Sequence, residues 1–247
     1  DIWLLDVLDP EAEPQNLTRH PDLDSSPRMS ADGKVLAFIS DRAGNNFEFN
    51  VYAVYLDKSL EGLTSYQLAD HFKKAADEAK KAKPIDPIDW DADYTPSEPL
   101  KFEVDDAHLR VRRMTNFPGS HSTVAITPAG DRILFTASID GSFGFYSVDY
   151  KGDDRKSVTS GGVGDVRVSA KGDVVSFVSS GQARSAGTTG GRSENYPISA
   201  TVVIELDQQQ RQKFLEMARI LETQFYHPTL KGLNWRGLTE RYAQLAM

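Results

Sequence analysis

One local pattern occurs three times in the sequence and restricts the possible folds more than any other feature. The first copy has a turn, Ala31-Asp-Gly33, followed by the short apolar segment Val35-Leu-Ala-Phe-Ile39 and by another turn. Asp and Gly tolerate the positive φ angles of a two-residue hairpin turn. A short apolar run between turn residues is typical of a strand that is buried on both faces. The pattern therefore predicts antiparallel strands joined by tight turns.

The spacing of the copies predicts how the strands are grouped. The second and third copies are centred on Gly130 and Gly172, which are 42 residues apart, whereas Gly33 lies 97 residues before Gly130. The longer interval equals one such period plus an insertion of about 55 residues. Several short strands in a period of about 40 to 45 residues are typical of β-propeller blades. We count two nearly complete blades, the rear of one before them and a thinner one after them.

A change of periodicity marks the domain boundaries. We predict blades over residues 1–200, a helical and loop insertion at about 58–107, and the start of a helical domain at 201–247. The insertion has a narrow apolar stripe at helical spacing, which lysines flank on the other side. The stripe consists of Tyr66, Leu68, Ala69, Phe72, Ala75, Ala76 and Ala79. Lys83-Pro84 should end this helix, and an extended loop rich in proline and aspartate should follow to residue 99.

The segment after residue 200 predicts two amphipathic helices. In the first, Asp207 is the expected N-cap, and the apolar positions fall on one face. These positions are Phe214, Ala218, Leu221 and Phe225. Asn234 is the expected N-cap of the second helix. Two such helices predict the beginning of a new domain.

The repeat resembles that of TolB-type, WD40-like propellers. The resemblance lies in Ser26-Pro-Arg-Met-Ser-Ala-Asp-Gly-Lys34, the apolar strand, and Ser40-Asp-Arg42. The family usually has Trp where Met29 stands and Pro where Ala31 stands. The predicted fold class is accordingly mainly β, a partial β-propeller with a helical insertion and a C-terminal α-helical segment.

Three further stretches resemble the propeller-bearing tricorn-like serine peptidases. They are Leu63-Thr-Ser-Tyr-Gln-Leu-Ala-Asp-His-Phe-Lys-Lys-Ala-Ala76, Val111-Arg-Arg-Met-Thr-Asn-Phe-Pro-Gly-Ser120 and Gln224-Phe-Tyr-His-Pro-Thr-Leu-Lys-Gly-Leu-Asn-Trp235. This resemblance implies that the propeller admits or positions peptides or unfolded protein segments. It also implies that downstream PDZ and catalytic domains of the parent chain hydrolyse them with a serine nucleophile. No catalytic residue of the family maps onto these 247 residues, so the chain by itself is expected to be inactive.

Two other classes of function remain open at this point. One is a non-enzymatic TolB-like propeller that binds protein partners, and the other is a propeller that binds a sugar or another small molecule. Closed propellers need about 4 to 8 blades, so the predicted blades do not close a ring. Either a longer parent chain or a homo-oligomer is therefore expected. The resemblance implies a cytoplasmic location, with the periplasm as the alternative.

Composition excludes several kinds of chemistry. A net charge of −8 argues against a general nucleic-acid-binding protein, which needs a basic surface. The absence of cysteine excludes disulfides, thiolate nucleophiles and cysteine-based metal sites. The five histidines are scattered without an i, i+4 pair, and we predict neither a metal site nor a cofactor. No apolar run approaches the ~20 residues of a membrane span.

Three groups of residues are candidates for a site. Ser120-His121-Ser122 has a serine beside a histidine, but neighbours on a strand point in different directions, so we predict a blade loop there. Asp89, Asp91 and Asp93 imitate the start of a calcium loop, yet Tyr94 replaces the required glycine. The third group comprises Arg110, Arg112 and Arg113, which lie near a predicted blade edge. These arginines are candidates to steer peptide carboxylates, although we favour their interpretation as solvated strand charges that need no function.

Overall fold

The computed structural model describes residues 1–7, 9–42, 48–82, 102–201, 203–227 and 229–245. The chain divides into two compact units, Asp1–Ile198 and Ser199–Met247. The predicted loop over residues 84–99, including Asp89, Asp91 and Asp93, lies outside the described residues.

Short antiparallel strands make up most of the first unit. In chain order they are β1 (Trp3–Leu4), β2 (Gln15–Asn16), β3 (Asp24–Met29), β4 (Val35–Ser40), β5 (Asn50–Tyr55), β6 (Arg112–Arg113), β7 (His121–Ile126), β8 (Arg132–Ile139), β9 (Ser142–Asp149), β10 (Lys156–Ser160), β11 (Gly164–Val168), β12 (Val174–Ser179), β13 (Gln182–Gly187) and β14 (Glu194–Tyr196). Strands β1 and β2 form a two-stranded ribbon. The others form three four-stranded sheets in chain order, β3 to β6, β7 to β10 and β11 to β14.

The first unit is a partial β-propeller, as the repeat predicted. The three glycines of the sequence pattern occupy the same turn in each sheet, with φ of 70° at Gly33, 71° at Gly130 and 75° at Gly172. The third sheet differs from the expected thin blade because it has four strands. The three residues of its fourth strand, β14, are all exposed, and they show no alternation of apolar residues that would reveal the strand in the sequence.

The sheets pack face to face, with the apolar residues of β4 and β8 alternating between two cores. Val35 and Ala37 of β4 share one core with Ile133 and Phe135 of the second sheet. Leu134 of β8 packs on the opposite side with residues of the third sheet. Continuous apolar runs such as Val35–Ile39 are therefore required, because both faces of these strands are buried.

The two outer faces of this stack differ. Leu36 and Phe38 of the first sheet are covered by a core that includes Ile2 and Leu17, from beside the β1–β2 ribbon. On the third sheet, by contrast, β12 alternates between buried and exposed residues. Val174 is 40% exposed and Val178 is 37% exposed. The described residues therefore leave open the side of the third sheet that carries these valines.

Glycines allow close approaches between neighbouring sheets at the turns before the fourth strands. A Cβ on Gly190, in the β13–β14 turn, would lie 2.3 Å from the Ser157 carbonyl oxygen of the second sheet. Likewise, a Cβ on Gly152 would lie 2.4 Å from the Met114 carbonyl oxygen. Both glycines have φ of +85°. Any side chain would therefore meet backbone atoms and adopt an unfavourable backbone conformation.

The insertion separates β5 from β6 and contains the predicted helix. After a 3₁₀ turn (Lys58–Gly62), helix α1 runs over Ser65–Ala79 and has a capping box between Thr64 and Gln67. Phe72 of the predicted stripe is buried, but Tyr66 is 83% exposed and does not belong to the packed face. The helix ends at Ala79, one turn before the predicted stop at Lys83-Pro84. A second 3₁₀ turn (Ala107–Leu109) precedes β6.

The second unit contains two helices, α2 (Leu206–Gln224) and α3 (Trp235–Ala243), with a 3₁₀ turn (Leu230–Gly232) between them. The predicted cap at Asn234 is confirmed, since its Oδ1 accepts a hydrogen bond from the Gly237 amide at 3.1 Å. The predicted cap at Asp207 is wrong. The helix begins at Leu206, two residues earlier than predicted, its N-cap position is Glu205, and Asp207 lies in the first turn.

Candidate functional site

The innermost strands of the three sheets share one backbone irregularity. Strand β7 lies beside β3 on one side and beside β11 on the other. In each of the three, the pairing with the next strand shifts register within the strand. A non-glycine residue lies at the shift with a positive φ, 55° at Ser26, 52° at Thr123 and 49° at Asp165. The first unit therefore has the same β-bulge at three equivalent places.

These bulges are the most unusual feature of the inner strands. A left-handed conformation costs a non-glycine residue roughly 1–2 kcal/mol. A bulge also leaves backbone groups of the ladder unpaired and changes the direction of the side chains. Residue types alone did not indicate the bulges, because Ser, Thr and Asp stand where glycine would be the usual signal. The bulged inner strands are our first candidate for a ligand-contacting surface.

A buried ion pair fixes the beginning of β3. The Asp24 side chain is fully buried, and Arg42 Nη2 lies 2.8 Å from each of its carboxylate oxygens. The Arg42 guanidinium also lies 5.3 Å from the Phe38 ring centre and 5.2 Å from that of Tyr52. Burial by itself would raise the pKa of Asp24. Hydrogen bonds from Ser40 and Arg42, together with the Arg42 charge, outweigh burial and hold that pKa below its usual value.

His121 begins β7 at the place that Asp24 has in β3. It is 1% exposed, and its ring lies 5.3 Å from that of Phe135 and 6.3 Å from that of Phe117. Its Nδ1 is 3.0 Å from the Phe49 carbonyl oxygen, whereas Nε2 is buried without a hydrogen-bond partner among the described residues. Burial lowers the pKa of His121. The neutral ring, with Nδ1–H donating to Phe49, satisfies this geometry.

The serines beside His121 bond elsewhere. Ser120 Oγ accepts a hydrogen bond from the Phe49 amide at 3.2 Å. Ser122 Oγ lies 2.7 Å from Thr136 Oγ1. Neither arrangement provides the serine–histidine hydrogen bond that an activated nucleophile needs. The predicted blade loop is confirmed at Ser120 but is wrong for His121 and Ser122, which belong to β7.

Arg110, the first of the predicted peptide-steering arginines, is tied to the insertion. Its side chain is 10% exposed, and Nε donates to Asp106 Oδ1 at 3.0 Å. Its other nitrogens donate to the Tyr55 and Glu103 carbonyl oxygens. These bonds connect the residues before β6 to the end of β5. The guanidinium is therefore occupied by partners within the chain.

Arg112 and Arg113 form β6, the outermost strand of the first sheet. The Arg112 guanidinium carbon lies 3.9 Å from the Tyr55 ring centre. Arg113 donates from Nε to the Thr115 carbonyl oxygen and from Nη2 to Asn50 Oδ1, at 2.6 and 2.7 Å. Both residues are exposed, but the other two strands of the sheet, β4 and β5, separate β6 from β3. Peptide steering by these arginines stays a prediction.

The described residues contain no group of three or more His, Cys, Asp or Glu side chains placed to hold a metal ion. In the same part of the chain, no helix has the length and hydropathy to cross a membrane.

The most specific similarity to a known protein family lies in the second unit. The family model described as the Tricorn protease C1 domain matches residues 206–247, which contain α2 and α3. The search of curated proteins finds no significant match.

Solved structures that match include two TolB proteins and a β-propeller domain. TolB from Acinetobacter baumannii matches with a TM-score of 0.47 and 19% identity over 78% of this chain and 36% of that one. A putative TolB from Agrobacterium tumefaciens matches with a TM-score of 0.44 and 17% identity over 74% of this chain and 51% of that one. The β-propeller domain of the Trilobed protease from Pyrococcus furiosus matches with a TM-score of 0.39 and 11% identity over 75% of this chain and 46% of that one. The chain thus spans about a third to a half of these structures.

The four-stranded sheets define the class of protein, a β-propeller of which this chain contains a part. Beyond its last blade, residues 206–247 are similar to the Tricorn protease C1 domain.

Proposed function

We propose that this chain is the propeller part of a tricorn-like serine peptidase, in which it admits or positions peptides for a downstream catalytic domain. One observation carries the proposal. A set of propeller blades is followed, on the same chain, by a helical segment that matches the Tricorn protease C1 domain model. A propeller that only binds partners does not require such a segment. The catalytic serine and its base would belong to the parent chain, with backbone N–H groups stabilising the oxyanion.

The decisive experiment uses the native protein from its source. An antibody against residues 1–247 would capture it, and its intact mass and its reaction with a fluorophosphonate probe for active serines would be measured. We expect a chain several times larger than 27.4 kDa that the probe labels. A native chain of about that mass, or a larger one that the probe never labels, would refute the peptidase proposal. Either of these results would instead favour a non-enzymatic propeller that binds protein partners.

Peptide binding is tested on the chain itself. We propose that it binds short peptides weakly, and that the exposed Arg112 and Arg113 attract the terminal carboxylate. Fluorescence anisotropy would compare one labelled peptide with a free carboxylate and with an amidated terminus. We expect Arg113→Gln to weaken binding of the free acid only. Equal loss for both peptides would exclude carboxylate steering.

Assembly and compartment belong to the same proposal. We propose that the open face of the third sheet is covered in the functional protein, by further blades of the parent or by a second copy of the chain. We also propose that the parent acts in the cytoplasm, with the periplasm as the alternative. Fractionation of the source cells with the same antibody decides between the two compartments.

A further inference from the structure

Helix α1 lies across the turns that join the inner strands to their neighbours. The Ala31 amide in the β3–β4 turn donates to the Pro128 carbonyl oxygen in the β7–β8 turn at 2.9 Å, so these two turns are joined. A cavity of about 440 Å³ lies between the turns and the helix. Ala75 and Ala79 line it from the helix, and Ala129 and Ala170 line it from the turns of the second and third sheets. The helix therefore covers one end of all three inner strands.

The attachment of α1 is uneven along its length. Phe72 is the buried side chain of the helix. Its ring stacks on Tyr150 at a centroid distance of 4.3 Å and lies 6.0 Å from the Tyr55 ring. The N-terminal part is also held, because Leu68 packs against the same core.

Beyond Phe72, the inward side of α1 lines two grooves that, among the described residues, are open to solvent. The cavity of about 440 Å³ is continued by another of about 250 Å³, which Ala76 and Lys80 help to line. Alanine side chains offer few atoms for dispersion interactions, and the side chains that line these grooves make few protein contacts across them. Segments with little buried apolar surface open at lower free energy than the rest of a fold. The C-terminal half of α1 therefore has much weaker packing than its anchor.

We propose that α1 is a lid that Phe72 holds shut over the turn ends of the inner strands. In the closed state the helix covers Ala129 and the turns beside it. In the open state Phe72 leaves its place between Tyr55 and Tyr150, and this end of the inner strands becomes accessible. The proposal rests on the proposed function only in naming peptides as the ligands whose entry the lid controls. Lid opening itself is measured without any peptide.

Thiol labelling tests the lid directly, because the chain contains no cysteine. Ala129→Cys places one thiol at a 5% exposed position beneath the helix. Ala125→Cys is the matched control, since Ala125 is 6% exposed but packs in the core between the second and third sheets. The rate of reaction with iodoacetamide would be measured for each thiol with Phe72 and with Phe72→Ala.

We expect Phe72→Ala to speed labelling of the thiol at position 129 about tenfold or more, because the anchor of the closed state is lost. The thiol at position 125 should react at an unchanged rate. Equal acceleration at both positions would show that the whole unit is loosened and that α1 is not a separate lid. No acceleration at position 129 would equally overturn the proposal.

A second variant acts in the opposite direction and does not depend on the folding of Phe72→Ala. Ala79→Leu adds apolar atoms on the cavity side of α1 and should hold the helix closed. We expect it to slow labelling at position 129 severalfold and to leave position 125 unchanged. Unchanged or faster labelling at position 129 would contradict the lid.

Discussion

Arg42 and Asp24 form a buried ion pair in which one guanidinium nitrogen lies 2.8 Å from both carboxylate oxygens. The pair joins the start of β3 to the turn after β4. The Asp24 side chain has no exposure, so its charge depends on this one cation and on nearby hydroxyl groups. Removing one member of such a pair leaves a buried charge without compensation.

Arg42→Met is therefore expected to lower the free energy of unfolding by about 3–5 kcal/mol. Arg192→Met is the matched control, because Arg192 is 87% exposed and its pair with Glu194 is 3.5 Å long. An exposed pair contributes about 0–1 kcal/mol. Urea unfolding followed by circular dichroism measures both changes. Similar small losses in the two variants would mean that the Asp24 charge does not need Arg42.

Gly190 closely approaches the second sheet, so replacing it should lower the free energy of unfolding by more than its backbone conformation alone would. Gly181→Ala carries the conformational cost without a collision, since φ is +74° and no atom lies within 4 Å of the added Cβ. In Gly190→Ala the Cβ would also meet the Ser157 carbonyl oxygen. We expect Gly190→Ala to be less stable than Gly181→Ala by about 1–3 kcal/mol. Equal melting temperatures would show that the two sheets separate at this point without cost.

His121 predicts a pH dependence of stability. Its pKa in the folded chain is lowered by burial from the usual value of 6.5, so the unfolded chain binds the proton more readily. Stability is therefore fully present above about pH 6.5 and decreases as the pH falls below it. Burial lowers the pKa of His71 as well, so both histidines contribute to the decrease in stability of the wild type with falling pH.

The variant His121→Asn should remove the contribution of His121 to this pH dependence of the free energy of unfolding. The free energy of unfolding would be measured by urea titration at several values between about pH 7 and pH 5. We expect a smaller decrease in the variant than in the wild type. An identical decrease would show that His121 accepts a proton in the folded chain without penalty.

The bulge in β7 predicts a stabilising substitution. Thr123 is β-branched and has φ of 52°, a conformation that asparagine adopts with less strain. Thr123→Asn should raise the free energy of unfolding by up to about 1 kcal/mol. Asp165→Asn is the control at the equivalent bulge, and it should change stability little because aspartate also tolerates this conformation. A loss of stability in Thr123→Asn would show that the threonine side chain makes a contribution larger than the strain.

Local chemistry made the blade framework predictable from sequence. Gly33, Gly130 and Gly172 mark turns that only a few residues tolerate, and the apolar runs after them require burial on both faces. Strand β14 was missed because Glu194–Tyr196 pairs through its backbone and buries no side chain. The bulges were missed because the pairing of the inner strands, rather than residue preference, determines φ at Ser26, Thr123 and Asp165.

The candidate site was less predictable, because its contacts join distant parts of the chain. Arg110 is one of three neighbouring cations in the sequence, yet it bonds to carbonyl oxygens of Tyr55 and Glu103. The partner of His121 is Phe49, which precedes it by 72 residues. Such pairings depend on how the sheets stack, and the sequence repeat alone does not specify that stacking.

The position of the insertion has a consequence for folding during synthesis. Strand β5 ends at Tyr55, but its outer partner β6 begins only at Arg112, after the whole insertion. The ribosome must therefore add the insertion before the first sheet gains its fourth strand. Until then β5 is an unpaired edge, and closing the long loop delays its pairing. The sheet that begins with β3 is therefore completed only after the whole insertion has been synthesised.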